Sequence, residues 1–420
     1  MMTYGKRRKG LVAAAAVLGG VLTLAACGGD GDDAKGGGDD KAASQGQVDA
    51  AAAKDASKAH VKITPKGGTT NAGITTDAVQ VTVSDGELTS VKMTTEKGTP
   101  VEGSISSDKK AWKPNKPLER STKYKVVAEA KDEKGRKATE NSSFSTVSPE
   151  NSFVGSFTPE DGSTVGVGMP VSITFDKPIK DRKAVQSHLE VTSSSGQKVV
   201  GHWFGEQRLD FRPQDYWKAG SDVTLKMDLD GVEGAPGIKG VQKKTISFKI
   251  GRAQVSTVDA KTHQMTVTRD GQVLRTIPIS AGSAQNPTYN GKMVISEKFV
   301  ETRMDGSTVG FSKADGKGEY DIKDVPHAMR LSTSGTFIHG NYWGNGVFGV
   351  SNTSHGCVGL QDKQGADDPN TPGAWFYTNS MLGDVVEVKN SNDKTIAPDN
   401  GLNGWNMDWA TWVAGSATGA

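Results

Sequence analysis

From His60 to about Val147, apolar and polar residues alternate in short runs: VQVTVSDG, LTSVKMTT, KYKVVAEAKDEKG and SSFSTV. A period of two is that of strands with one buried face, and the DG, KG and EKG steps between them mark turns. The stretch 59–147 therefore predicts one compact strand-and-turn unit. A second unit, 148–252, opens on SFTPEDGSTVGVGMPVSITFDKPI and closes on KTISFKIG. From 253 the pattern changes. AQVSTVDAKTHQMTVTRDGQVLRTIPISAG predicts three strands, NPTYNGKMVISEKFV a turn and another, AMRLSTSGTFIHG two more and GDVVEVKNS a last one, closing a third β unit at 389. In the remaining stretch, 390–420, Trp405, Trp409 and Trp412 stand at i, i+4 and i+7, one face of a helix. Exposed indoles are costly, so this tail is predicted to fold back and support the third unit.

The first two units look like copies. Trp112-Lys113-Pro114 precedes KYKVVAEA as Phe211-Arg212-Pro213 precedes DVTLKMDL, and each unit ends in an S-F strand. Two repeats of short strands predict tandem immunoglobulin-like sandwiches. His188, His202, Trp203 and Trp217 are scattered through the second and read as packing residues.

Composition agrees with turn-rich β structure: 52 Gly, but only 12 Phe, 8 Trp and 7 Tyr in 420 residues. Formal charge is +2, and Lys6, Arg7, Arg8 and Lys9 carry +4 within residues 1–26. The rest of the chain is mildly acidic, which argues against nucleic-acid binding. A basic start, the apolar run LVAAAAVLGGVLTL and Leu24-Ala25-Ala26-Cys27 form, in that order, a signal that resembles a bacterial lipobox. Residues 1–26 are then a signal peptide. Cys27 is the lipidated first residue of the mature protein, at the extracellular face of the membrane and reaching into the wall. Residues 27–58 lack large apolar side chains and read as a flexible tether.

Cysteine usage narrows the chemistry. With Cys27 lipidated, Cys357 is left without a partner among the chain's 2 cysteines. It lies in IHGNYWGNGVFGVSNTSHGCVGL, with His339 and His355, two of only 7 histidines. If SHGCV is extended, His355 and Cys357 share a face. A strand ending at His339 and a glycine-rich return would bring that imidazole within reach of the thiol, which needs a base or a positive field to act as a nucleophile. Gly356 leaves amides unshielded for an oxyanion. Two other readings compete: a zinc site from His339, His355 and Cys357, and a buried structural cysteine.

His339, fourteen residues, then Ser354-His355-Gly356-Cys357 resembles the signature of the YkuD-type L,D-transpeptidases. NPTYNGKMVIS, MDGSTVG, MRLSTSGTFIHG and GDVVEV resemble the same catalytic domain over 253–389. The lipobox, paired sandwiches and Trp-containing tail resemble the actinobacterial members. The resemblance implies a mainly β chain: two tandem immunoglobulin-like sandwiches, a YkuD-type β-sandwich catalytic domain and a short Trp-rich extension. It implies Cys357 as nucleophile, His339 as base, His355 in support, the Gly340 carbonyl orienting the His339 ring, and the Gly356 and Cys357 amides as oxyanion donors. Tyr320 and Trp343 would line the substrate groove, and Asn352, Thr353 and Ser354 would shape its loop. The implied partners are donor and acceptor stem peptides of peptidoglycan, joined by 3→3 cross-links, and carbapenem-type inhibitors; no metal or organic cofactor is implied. Gly359 departs from the pattern, where Asn or Arg is usual. The motif does not separate this activity from an L,D-carboxypeptidase. A non-catalytic wall-binding lipoprotein would be expected to lose the Cys or the His.

Overall fold

The structure is a computed structural model that describes residues 56–419. The expected signal peptide, Cys27 and nearly all of the expected tether lie outside the described residues.

The first unit is a two-layer sandwich. One sheet runs His60–Thr64, Gln80–Ser84, Ala111–Pro114, Gly103–Ile105; the other runs Pro100–Val101, Glu87–Thr95, Lys123–Lys131, Lys137–Ser145. Along Lys123–Lys131 buried and exposed residues alternate, and Tyr124, Val126, Ala128 and Ala130 share a core with Trp112 and Phe144. The second unit repeats the plan. The strands Gly155–Thr158, Val171–Phe175, Arg208–Pro213 and Val199–Phe204 pack on Thr164–Val165, Lys243–Ile250, Asp222–Asp228 and Leu189–Ser193. Trp112 and Phe211, paired by the repeat, are both buried in strands that end in proline. Trp203 and Trp217 are core residues of this unit.

The third unit holds nine strands: β1 Gln254–Asp259, β2 Gln264–Arg269, β3 Gln272–Ser280, β4 Gly291–Val294, β5 Glu297–Asp305, β6 Asp321–Arg330, β7 Phe337–Asn341, β8 Val358–Gln361 and β9 Val385–Lys389. They join in one sheet, ordered β4-β9-β1-β2-β3-β8-β7-β6-β5. The two halves meet where β3 pairs with β8, Ile279 opposite Leu360. Val258 and Met265 of one half share a core with Met329 and Ile338 of the other, so the sheet curls over its own apolar face. The helix Pro372–Thr378 closes that core with Phe376; Thr371 caps it by accepting from the Ala374 amide, and proline opens it.

The second and third units dock closely. The Gly166 and Gly168 amides donate to the Leu382 and Gly383 carbonyls at 2.7 and 2.9 Å. Beside them Arg252 pairs with the buried Asp384 at 3.1 Å. Burial pushes the Asp384 carboxyl up to about 6 against the pull of that arginine.

The tail corrects two expectations. Its tryptophans do not share one helix: Trp405 sits in a 3-10 turn, Gly404–Asn406, and Trp409 and Trp412 in a separate short helix, Trp409–Ala414, capped by Asp408. Nor does the tail rest on the third unit alone. The Trp412 indole donates to the Val200 carbonyl at 2.9 Å and stacks on His202, both of the second sandwich. The Trp405 indole donates to the Gly168 carbonyl at 2.7 Å. Asn403 and Asn406 bind instead to β4, accepting from the Val294 and Lys292 amides. The tail is thus a strap across the joint between two units.

Candidate active site

Parallel pairing of β7 with β8 builds the site. Ile338 lies opposite Val358 and His339 opposite Gly359. Cys357 directly precedes β8 and packs against the cluster that holds Phe337, which shares the His339 face of β7. His339 is buried, and its Nδ1 lies 2.7 Å from the Gly340 carbonyl oxygen. A carbonyl only accepts, so Nδ1 carries the proton and Nε2 is left as an acceptor. The Trp343 ring stacks on the imidazole at 5.7 Å. Burial holds His339 below the ordinary histidine range, opposed by the Gly340 carbonyl and the Asp362 carboxylate.

Cys357 is half-buried as a residue, but its sulfur is enclosed. It packs against Val325, Ala328 and Phe337, and its Sγ lies 3.7 Å from the Gly335 carbonyl oxygen. Burial pushes the thiol up to about 11. Thiol and imidazole are therefore both disfavoured as ions in the resting site, and charge forms when a proton passes between them.

The residues around the nucleophile divide into two groups. Asn352, Thr353 and Ser354 tie the loop down. Asn352 donates to the Ala260 carbonyl and accepts from the Ala281 amide, both at 2.8 Å. The Thr353 amide donates to Ser280 Oγ at 3.2 Å. Ser354 Oγ donates to the Cys357 carbonyl at 2.6 Å and accepts from the Gly356 amide at 3.2 Å. One intended oxyanion donor is thus engaged within the loop. The other group faces a lobe formed by residues 306–320. His355 Nε2 lies 3.2 Å from Glu319 Oε2, and its ring meets Phe311 and Tyr320 at 5.3 and 5.0 Å. Tyr320 is half-buried, its phenol pushed up to about 12 by burial first and by Cys357 second.

This corrects the extended reading of SHGCV. Gly356 has φ +111°, a left-handed backbone open to glycine, and β8 begins only at Val358. His355 consequently turns to the lobe rather than sharing a strand face with the thiol. Among the described residues, no three His, Cys, Asp or Glu side chains converge as metal ligands. An open cleft of about 300 Å³, lined in part by Asn286, Tyr289, Phe311, Thr336, His355 and Gly356, reaches the turn before Cys357. A larger concavity, about 690 Å³, lies on the first sandwich between Thr95 and Tyr124, remote from this chemistry.

Residues 253–388 match the L,D-transpeptidase catalytic domain, and residues 69–233 match a bacterial Ig domain that spans both sandwiches. L,D-transpeptidase 2 of Mycobacterium tuberculosis is 34% identical over 346 residues, 82% of each chain. This chain belongs to the L,D-transpeptidases. A second relative, L,D-transpeptidase 5 of the same species, is 31% identical over 81% of this chain and 73% of its own. A solved structure of the LD transpeptidase LdtMt1 in complex with imipenem is 29% identical over 56% of this chain and 97% of that one, with a TM-score of 0.46.

Within this L,D-transpeptidase the departure at Gly359 has a local explanation. A Cβ there would stand 3.3 Å from Asn341 Nδ2, so an asparagine from the neighbouring strand already occupies that side. Sequence reasoning missed Asp362, His327 and Thr371, buried together behind His339. They belong to no motif; the only signal was an isolated histidine in VPHAM and an acid just beyond the nucleophile strand.

Proposed function

We propose that this L,D-transpeptidase acts through a thioester on Cys357, with His339 as its base. The observation that carries the reading is the imidazole itself: fixed through Nδ1 to Gly340 O at 2.7 Å and set on the sheet face of a lone thiol. The Cys357 proton passes to His339 Nε2 as sulfur attacks the carbonyl of the L-centre residue, a diaminopimelate, in a donor tetrapeptide stem. Collapse of the tetrahedral oxyanion breaks the bond to the terminal D-alanine, whose amine leaves with the proton held by His339. The side-chain amine of a second stem then attacks the thioester, giving a 3→3 cross-link and restoring the thiol. Carbapenems offer the same thiol a strained carbonyl and are proposed to trap it. Mass spectrometry of muropeptides after incubation with the purified protein tests the reading. Dimers joined 3→3, absent with Cys357→Ala, are expected. Shortened monomers alone would make the protein a carboxypeptidase.

We also propose that Cys27 is lipidated and holds the enzyme on the outer face of the membrane, since two acyl chains anchor stably where one is marginal. The support is LAAC after a basic and apolar leader. Cys27→Ala is expected to remain unprocessed and free of diacylglycerol; a variant that still carries lipid refutes the assignment.

A further inference from the structure

Behind the imidazole lies a buried carboxylate with no role in the chemistry described so far. Asp362 follows β8 directly, and its Oδ2 lies 2.8 Å from His327 Nδ1 of β6. Its Oδ1 accepts from Thr371 Oγ1 at 2.7 Å and from the Lys363 amide at 2.9 Å. Asp362, His327 and Thr371 are all buried. The carboxylate is slotted between two glycines. A Cβ on Gly340 or on Gly373 would stand 2.1 Å from Oδ2, so any larger residue at either place would expel it. Gly340 is also the residue whose carbonyl holds His339. His327 itself sits at φ +47°, a left-handed backbone uncommon outside glycine and kept only where the surroundings hold it. Unusual local choices on two strands and a helix converge on one carboxylate pressed against the peptide that orients the base.

We propose that Asp362, gripped by His327 and Thr371, is a positioning residue for His339, fixing the Gly340 peptide and setting a negative charge behind the imidazole. The proposal rests on His339 being the base. The Gly340 carbonyl accepts a hydrogen bond from Nδ1–H, and the carboxylate behind it favours positive charge on the ring as Nε2 receives the thiol proton. Its field opposes the burial that lowers His339. The other groups on this side are accounted for. Cys357 stands on the same sheet face as His339. Tyr377 meets the His327 ring at 5.1 Å, and the Lys298 ammonium lies 4.2 Å from the centre of the Tyr377 ring. Lys363 is drawn outward to Asp368 at 2.6 Å.

The test is the pH profile of Cys357 acylation by imipenem, followed by intact mass, in the wild type, Asp362→Asn, His339→Ala and the double variant. Asp362→Asn keeps the shape and removes the charge. A less basic His339 gives up its proton at lower pH, so the acidic limb should move down by about one pH unit. The plateau should fall roughly tenfold, as expected for a weaker base. A merely structural role would lower the rate without moving the limb. Adding Asp362→Asn to His339→Ala should change nothing further. An unmoved limb, whatever the plateau, or an equal loss in both backgrounds overturns the proposal. If His339→Ala keeps the wild-type profile, the base assignment falls and this proposal falls with it; if His339→Ala is slow and Asp362→Asn is normal, only this proposal falls. Should Asp362→Asn not fold, His327→Asn carries the test, because asparagine tolerates the left-handed backbone. At least a threefold plateau loss that vanishes in the His339→Ala background supports the role, and a wild-type rate refutes it.

Discussion

The Arg212 guanidinium lies 4.3 Å from the centre of the Trp412 ring and 4.8 Å from that of Trp405. One arginine of the second sandwich therefore gathers the two buried indoles of the C-terminal strap, and it also donates to the Met407 carbonyl at 2.8 Å. Burial lowers it to about 10, still far above neutrality, so it remains a cation against the rings.

Trp412→Ala is expected to destabilise the protein by about 3–5 kcal/mol, the usual cost of emptying a buried tryptophan site. Trp409 is only partly covered, and Trp409→Ala should cost no more than about 1 kcal/mol. Thermal unfolding of the two variants checks this. Equal effects would mean that the strap is held some other way.

Gly340→Ala places a methyl where the Asp362 carboxylate now stands, 2.1 Å from Oδ2. Overpacking of this kind costs about 1–3 kcal/mol. Because the same peptide aims His339, acylation should slow by about 10- to 100-fold, measured as the rate of imipenem adduct formation. A normal rate would show that the carboxylate moves aside without disturbing the base.

Gly359→Asn restores the side chain expected from the family pattern. The new Cβ would meet Asn341 Nδ2 at 3.3 Å and the Ser280 carbonyl oxygen at 3.5 Å, a tight but passable fit. Position 359 is buried, so stability should fall by about 1–3 kcal/mol. The rate of thiol acylation should stay within about threefold, because the Nδ1 bond to Gly340 and the Asp362 carboxylate are unchanged even though residue 359 lies opposite His339. A tenfold change would place position 359 in contact with the reacting atoms.

What was legible in the chain follows from which interactions are local. Strand alternation in KYKVVAEAK and the DG and KG turns exposed the sandwiches, since period-two burial is written residue by residue. The spacing of His339 and Cys357 was legible because β7 carries one and its parallel neighbour β8 starts directly after the other. The strap was half legible: indole burial followed from cost alone, but its partners Val200 and Gly168 lie far away in sequence and no pattern names them. His355 was misplaced because one left-handed glycine breaks the alternation on which the reading depended. Asp362 stayed hidden for the same reason as the strap: His327, Gly340 and Gly373 give it meaning only once three segments meet.

The most direct measurement is the pH dependence of Cys357 acylation in the wild type and His339→Ala. In the wild type, burial holds the imidazole below its ordinary range, which favours the neutral ring that can accept the thiol proton. The rate should therefore reach its plateau in mildly acid solution and stay flat through neutrality. Without His339 only the thiolate reacts, and burial holds the thiol near 11. The His339→Ala rate should then be lower by roughly 10²–10⁴-fold at pH 7 and climb about tenfold per pH unit well above neutrality. Two profiles of the same shape and height would contradict the account, because Cys357 would then be activated without His339.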